Sequence, residues 1–184
     1  MNNTHLLEFA IDTAKGAGNI VKKHFGNIKS IDRKSTNIDL LTIADTESEA
    51  FILKKITSAY PHHHIIAEES AITKRDSDYQ WVIDPLDGTT NFVHNLPIFA
   101  ISIGLQYKGE TILGVVHNPA VDKCFWAEKE GGAFLNKYPI HITSTNTLSN
   151  SLLVTGFPYI HDGRYEKSFT LFKELYGKTQ GIRR

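Results

Sequence analysis

Asp84 and Asp87 stand three residues apart, with Pro85 and Leu86 between them and Gly88, Thr89 and Thr90 directly after. Carboxylates at this spacing can grip a hard divalent cation, which accepts oxygen ligands only. A glycine followed by hydroxyl residues can open a helix whose free amides take phosphate oxygens. One short turn therefore offers places for a metal and for the anion it would hold. The same residues also fit a helix cap at Asp84 and an ordinary Asp-Gly turn at Asp87.

A second acidic pair, Glu68-Glu69, follows the apolar run Ile65-Ile66-Ala67, just as Asp84 follows Trp81-Val82-Ile83. Both runs read as short buried strands, the second ending at Asp84-Pro85 because proline has no N–H for a sheet ladder. Two strands that deliver acids at their carboxyl ends suggest convergence on one cation. The plainer alternative is that these acids solubilise loop mouths. His62-His63-His64 resembles a metal site, but alternate side chains of an extended chain point to opposite faces. A solvated turn is expected there.

The elements that must position these residues are legible from periodicity. Asn3 or Thr4 caps a first helix with Leu6, Leu7, Ala10, Ile11, Ala14, Ala17, Val21 and Phe25 at helical spacing, stopped near Gly26. Gly16 and Gly18 inside it suggest close packing. Residues 28–39 read as a polar loop. Asp45, Glu47 and Glu49 start a second helix with Ala50, Phe51, Leu53, Ile56 and Tyr60 on its apolar side, ended by Pro61. Beyond Pro97, strands at Phe99–Tyr107, Thr111–Asn118, Cys124–Ala127, Ala133–Leu135 and Ile140–Ile142 are joined by short turns and predict an antiparallel sheet. A strand at Leu152–Thr155 and an amphipathic helix at Tyr165–Tyr176 follow, with no closing element read at Gly181-Ile182-Arg183.

Bulk properties narrow the classes. With 184 residues, Lys+Arg 20 and Asp+Glu 20, the chain has no net charge and no global field for nucleic acid or anionic membrane. Cys124 is the only cysteine, which excludes an intrachain disulfide and suits a reducing compartment. The first five residues lack the pattern of a secretory signal, and no apolar run nears the ~20 residues that span a bilayer. A soluble, cytoplasmic protein is expected.

Taken together, several separate stretches resemble the inositol monophosphatase family, magnesium-dependent and lithium-sensitive phosphomonoesterases. They are Lys34 with Asp39-Leu40-Leu41-Thr42 and Asp45, Ala67-Glu68-Glu69-Ser70, Asp84-Pro85-Leu86-Asp87-Gly88-Thr89-Thr90-Asn91-Phe92-Val93-His94, Pro97, Ser102-Ile103-Gly104, Gly114-Val115-Val116 and Gly131-Gly132-Ala133-Phe134. The resemblance implies an α/β layered fold in which N-terminal helices cover an antiparallel sheet and a second α/β half begins. Residues 1–145 would form the domain bearing the site, and 146–184 the start of an incomplete C-terminal domain.

Roles follow from the resemblance, position by position. Glu68, Asp84 and the Leu86 carbonyl match ligands of a first Mg²⁺. Asp84 and Asp87 match ligands of a second, and Glu68 also touches a third. The amides of Gly88 and Thr89 match a phosphate cradle. Asp45 and Thr89, assisted by Glu68, match the group that orients the attacking water, and Lys34 a loop residue near the metals. The implied reaction is hydrolysis of inositol monophosphate, by a protein that is commonly a homodimer. Sugar phosphates and histidinol phosphate are alternative substrates. A non-catalytic interaction protein on the same scaffold, touching RNA or transcription machinery, is the alternative of another class. The family's second half is expected beyond Gly181-Ile182-Arg183, so the chain reads as C-terminally truncated and weak or inactive alone.

Overall fold

The computed structural model describes residues 4–27, 31–33, 40–70, 76–157 and 163–183. They belong to two compact units, residues 1–140 and residues 141–184.

The first unit is built on a seven-stranded sheet, in spatial order β3 (His64–Ala67), β4 (Tyr79–Asp87), β5 (Ala100–Tyr107), β6 (Glu110–Asn118), β7 (Lys123–Glu128), β8 (Gly132–Leu135) and β9 (Tyr138–Ile140). Two helices, α1 (Thr4–His24) and α2 (Ile43–Ala59), pack on each other and on this sheet. A short antiparallel ribbon of β1 (Ile31–Arg33) and β2 (Leu40–Thr42) leads into α2. A single-turn helix, α3 (Thr89–Val93), sits between β4 and β5.

Alternation along the strands sends Trp81, Ile83, Ile101, Ile103, Leu105, Leu113 and Val115 into one core. Leu6, Leu7, Ala10, Ala14, Ala17 and Val21 of α1 fill it from the helix side. The expected close packing at Gly18 is present. A Cβ there would lie 2.7 Å from His117 Cδ2 and 3.1 Å from Pro119 Cβ, so α1 approaches β6 through a missing side chain.

The antiparallel sheet expected beyond Pro97 is present and takes in β4, and β3 joins it in parallel, with Ala67 opposite Ile83. Three expectations need correction. β4 does not stop at Pro85. It continues to Asp87, and its register with β5 shifts between Asp84 and Asp87, an irregularity where a missing ladder N–H is tolerated. The buried face of α2 consists of Ala44, Asp45, Ser48, Glu49, Ile52 and Ile56, whereas Ala50 is exposed. Finally, His63 is not a solvated turn residue. Its ring stacks on Tyr60 and Tyr79 at 4.8 and 4.7 Å, and its Nδ1 accepts from Trp81 Nε1 at 3.1 Å.

In the second unit β10 (Leu152–Val154) and β11 (Gly181–Arg183) pair in parallel, and α4 (Gly163–Tyr176) lies between them in sequence. Residues 181–183 thus form a strand, contrary to the expectation of no closing element, because a helical crossover returns them beside β10. Phe169 of α4 stacks on Phe157 at 4.5 Å. Among the described residues no helix is long and apolar enough to cross a membrane. Cys124 is a buried free thiol.

Candidate metal and phosphate site

Three chain segments of the first unit meet at the carboxyl ends of β3 and β4. The parallel ladder runs up to the Ala67–Ile83 pair, and the next residues outward are Glu68 and Asp84. Their carboxyl groups share a hydrogen bond. Burial pushes the Asp84 carboxyl up to about 8, and the charge and hydrogen bond of Glu68 and the charge of Asp87 push the same way. Only the Leu86 N–H, donating to Asp84 Oδ1 at 3.1 Å, opposes them. A half-buried carboxylate beside two others needs positive charge to ionise comfortably.

Leu86 is buried, and its carbonyl accepts from Thr89 Oγ1 at 3.0 Å. Thr89 Oγ1 also lies 3.1 Å from Asp45 Oδ1. One hydroxyl proton thus faces two acceptors, and either choice leaves Oγ1 able to accept from a water. Asp45 is 1 % exposed. Its Oδ2 accepts from the N–H and hydroxyl of Thr42 at 2.8 and 2.6 Å, closing the cap of α2. Burial raises the Asp45 carboxyl above its usual range, while the hydrogen bonds from Thr42 and Thr89 pull it back.

Gly88 caps α3 with φ +88°, the left-handed region. A Cβ there would meet the Ile98 carbonyl oxygen at 3.0 Å and Phe99 Cα at 3.3 Å, so this turn requires glycine. Phe92 pins α3 into the core, edge-on to Phe99 at 5.1 Å. The turn bearing the Gly88 and Thr89 amides is therefore held from below by packing.

Every donor atom gathered here is oxygen, from Glu68, Asp84, Asp87 and the Leu86 carbonyl, which suits a hard cation such as Mg²⁺. Among the described residues no three His, Cys, Asp or Glu side chains form a group that would hold an ion alone. The arrangement is a touching carboxylate pair on which Asp87 acts by charge. That also suits Mg²⁺, which uses few protein carboxylates and keeps water and substrate phosphate as ligands. Of the residues singled out from sequence, Asp45, Glu68, Asp84, Leu86, Asp87, Gly88 and Thr89 fall in this one region. Lys34 lies outside the described residues.

Sequence reasoning missed Ser48 and Glu49. Ser48 Oγ donates to the Pro85 carbonyl at 2.8 Å, and Glu49 Oε2 accepts from the Glu69 N–H at 3.0 Å. Their signal was available: Ser48 lies four and Glu49 three residues before the buried Ile52, on the core-facing stripe of α2.

Comparison with known proteins finds relatives of the chain in sequence and fold. The profile of the Inositol monophosphatase family matches residues 2–184. An inositol-1-monophosphatase of Synechocystis sp. is 41% identical over 179 residues, covering 97% of this chain and 62% of the relative. The Nus factor SuhB of Pasteurella multocida is 40% identical over 182 residues, covering 97% of this chain and 68% of the relative. A crystal structure of the extragenic suppressor protein suhB from Bartonella henselae superposes with TM-score 0.91 at 30% identity, covering 97% of this chain and 70% of that one. The inositol monophosphatase from Anabaena gives TM-score 0.83 at 37% identity, with 100% and 68% covered. The chain spans about two thirds of the length of the curated relatives it matches.

Proposed function

This chain belongs to the inositol monophosphatase family, and we propose on that premise that the protein is a Mg²⁺-dependent phosphomonoesterase, with inositol monophosphate as its substrate. The observation that supports it most is the hydrogen bond between exposed Glu68 and half-buried Asp84, beside Asp87 and next to the glycine turn. Such a pair is costly to maintain unless a cation completes it.

In this reading Glu68, Asp84 and the Leu86 carbonyl would hold one Mg²⁺, Asp84 and Asp87 would hold a second, and Glu68 would reach a third. When bound there, Mg²⁺ supplies Lewis-acid charge that eases proton loss from water and offsets charge on the leaving oxygen. The chain's own groups supply geometry. Asp45 Oδ1 accepts the Thr89 hydroxyl hydrogen bond, which leaves the Oγ1 lone pairs toward a water and fixes its approach to phosphorus. The Gly88 and Thr89 amides face the phosphate oxygens, and the Phe92 anchor keeps that turn from drifting. Lys34 belongs to the same reading through the family resemblance. So do lithium inhibition, a homodimer and a cytoplasmic setting.

A second reading is favoured by the relatives named Nus factor SuhB. On it the protein acts by binding a partner on this scaffold, with or without turnover. The experiment that separates the readings is phosphate release from inositol 1-phosphate, a hexose phosphate and histidinol phosphate, with Mg²⁺ and with added Li⁺. Release from inositol 1-phosphate above the others, lowered by Li⁺, supports the first reading. Even weak Mg²⁺-dependent release supports the first reading, whereas no release together with no Mg²⁺ binding by calorimetry would favour the second.

A further inference from the structure

Helix α2 places three polar side chains in one turn of its core face: Asp45, Ser48 and Glu49, at 1%, 0% and 5% exposure. Burying polar groups is unfavourable unless each is bonded, and a leucine at either of the last two positions would serve packing alone. Each of the three instead reaches a different segment. Asp45 meets Thr89 at the start of α3, Ser48 meets the Pro85 carbonyl in β4, and Glu49 meets the Glu69 N–H just past β3.

The last two contacts have a common geometry. Pro85 follows Asp84 directly, and Glu69 follows Glu68 directly. The β3–β4 ladder ends at Ala67 and Ile83, so no sheet hydrogen bond holds the two strand ends together beyond it. At that point two carboxyl groups are brought into contact, and once both are ionised their like charges oppose the approach. Ser48 and Glu49 are adjacent residues on one rigid helix, and each fixes one of those ends through its backbone.

We propose that Ser48 and Glu49 are positioning residues: together they set the separation of the Glu68 and Asp84 carboxylates and thereby the affinity of the site for Mg²⁺. The inference rests on the reading that Glu68 and Asp84 hold the cation. It identifies α2, which supplies no ligand of its own to that pair, as the ruler of the site. Partners of this outer kind orient the ligands that do the binding.

The test uses the full chain and reads Mg²⁺ affinity by titration calorimetry, alongside the Mg²⁺-dependent rise in melting temperature. Glu49→Met keeps volume but removes the acceptor for the Glu69 N–H, whereas Glu49→Gln keeps a carbonyl oxygen in place. Glu49→Met is expected to weaken Mg²⁺ binding by ~10–100-fold and Ser48→Ala by ~10-fold. Glu49→Gln is expected to stay within about threefold of the unaltered protein, because its amide oxygen still accepts. Faster hydrogen exchange at the Glu69 amide in the methionine variant, and not in the glutamine variant, is the accompanying signature.

Equal weakening by methionine and glutamine would overturn the proposal, as would an unchanged Mg²⁺ affinity in a methionine variant that merely melts earlier. If Glu49→Met does not fold, Ser48→Ala decides, and unchanged affinity there overturns it. Asp84→Asn separates the two levels. Mg²⁺ binding that survives Asp84→Asn sinks the ligand reading and this proposal with it. Binding lost in Asp84→Asn but untouched in Ser48→Ala and Glu49→Met sinks this proposal alone.

Discussion

Thr89 Oγ1 lies 3.1 Å from Asp45 Oδ1, and the other oxygen of the same carboxylate closes the cap of α2. One buried group thus serves both a helix end and the hydroxyl proposed to steer water, although 44 residues separate the partners in sequence.

That double duty predicts a split between two substitutions. Thr89→Ala removes only the steering hydroxyl, so turnover should fall by ~10²–10⁴ with a stability change below ~1 kcal/mol. Asp45→Asn places an amide NH₂ where either Thr42 or Thr89 must donate. It should lower turnover as well and cost about 1 kcal/mol of stability through the broken cap. Rates and urea midpoints of both variants check this. A Thr89→Ala protein as active as the parent would remove Thr89 from the mechanism.

Gly18 gives a test of how α1 is seated. Helix propensity alone predicts that Gly18→Ala stabilises by up to ~1 kcal/mol. The His117 ring, 2.7 and 2.9 Å from the added carbon at its Cδ2 and Nε2, predicts the opposite sign. Overpacking of this kind should cost about 1–3 kcal/mol. Gly16→Ala meets only the outer edge of the half-buried Phe51 side chain and no backbone, so it should cost less. Thermal melts of the two variants compare them directly, and a Gly18→Ala protein that melts later than its parent would contradict the packing described.

His117 also sets a pH response. Burial lowers the affinity of this imidazole for a proton, and Lys15 and Lys22 of α1 add to that by charge. The Lys123 backbone hydrogen bond and Asp122 act the other way without prevailing. A histidine lowered below its ordinary ~6.5 contributes stability that is present above that value and lost as the pH falls through the folded-state value. The urea midpoint should therefore drop below about pH 6.5, and His117→Gln should flatten part of that drop. An identical acid limb in the variant would show that other groups account for it.

Much of this arrangement was legible in the sequence, and the failures share a cause. Alternating runs such as Ile101-Ser102-Ile103-Gly104-Leu105 gave their strands away because one face of the sheet is buried. The turn at Asp87-Gly88 was legible because glycine after aspartate suits the left-handed conformation that Gly88 adopts. Pro85 misled because the ladder rule fails where the register already shifts. Ser48 and Glu49 were passed over because binary patterning takes polar residues for a wet face even on the stripe of Ile52 and Ile56, and their partners lie 37 and 20 residues away. The parallel pairing of β3 with β4 likewise depends on the chain's path and not on either strand's composition. His63 was misread for the same reason, since its partner Trp81 lies 18 residues away.

The account turns on Glu68 and Asp84 gripping one hard cation between them, and the most direct measurement is phosphate release from inositol 1-phosphate by the parent protein and by Asp84→Asn. The account predicts release that stops when EDTA strips divalent ions, returns with Mg²⁺, and falls by about 10³ or more in the variant at any Mg²⁺ concentration. Hydrolysis that continues in EDTA, or an Asp84→Asn protein that keeps the parent's Mg²⁺-dependent rate, would contradict it.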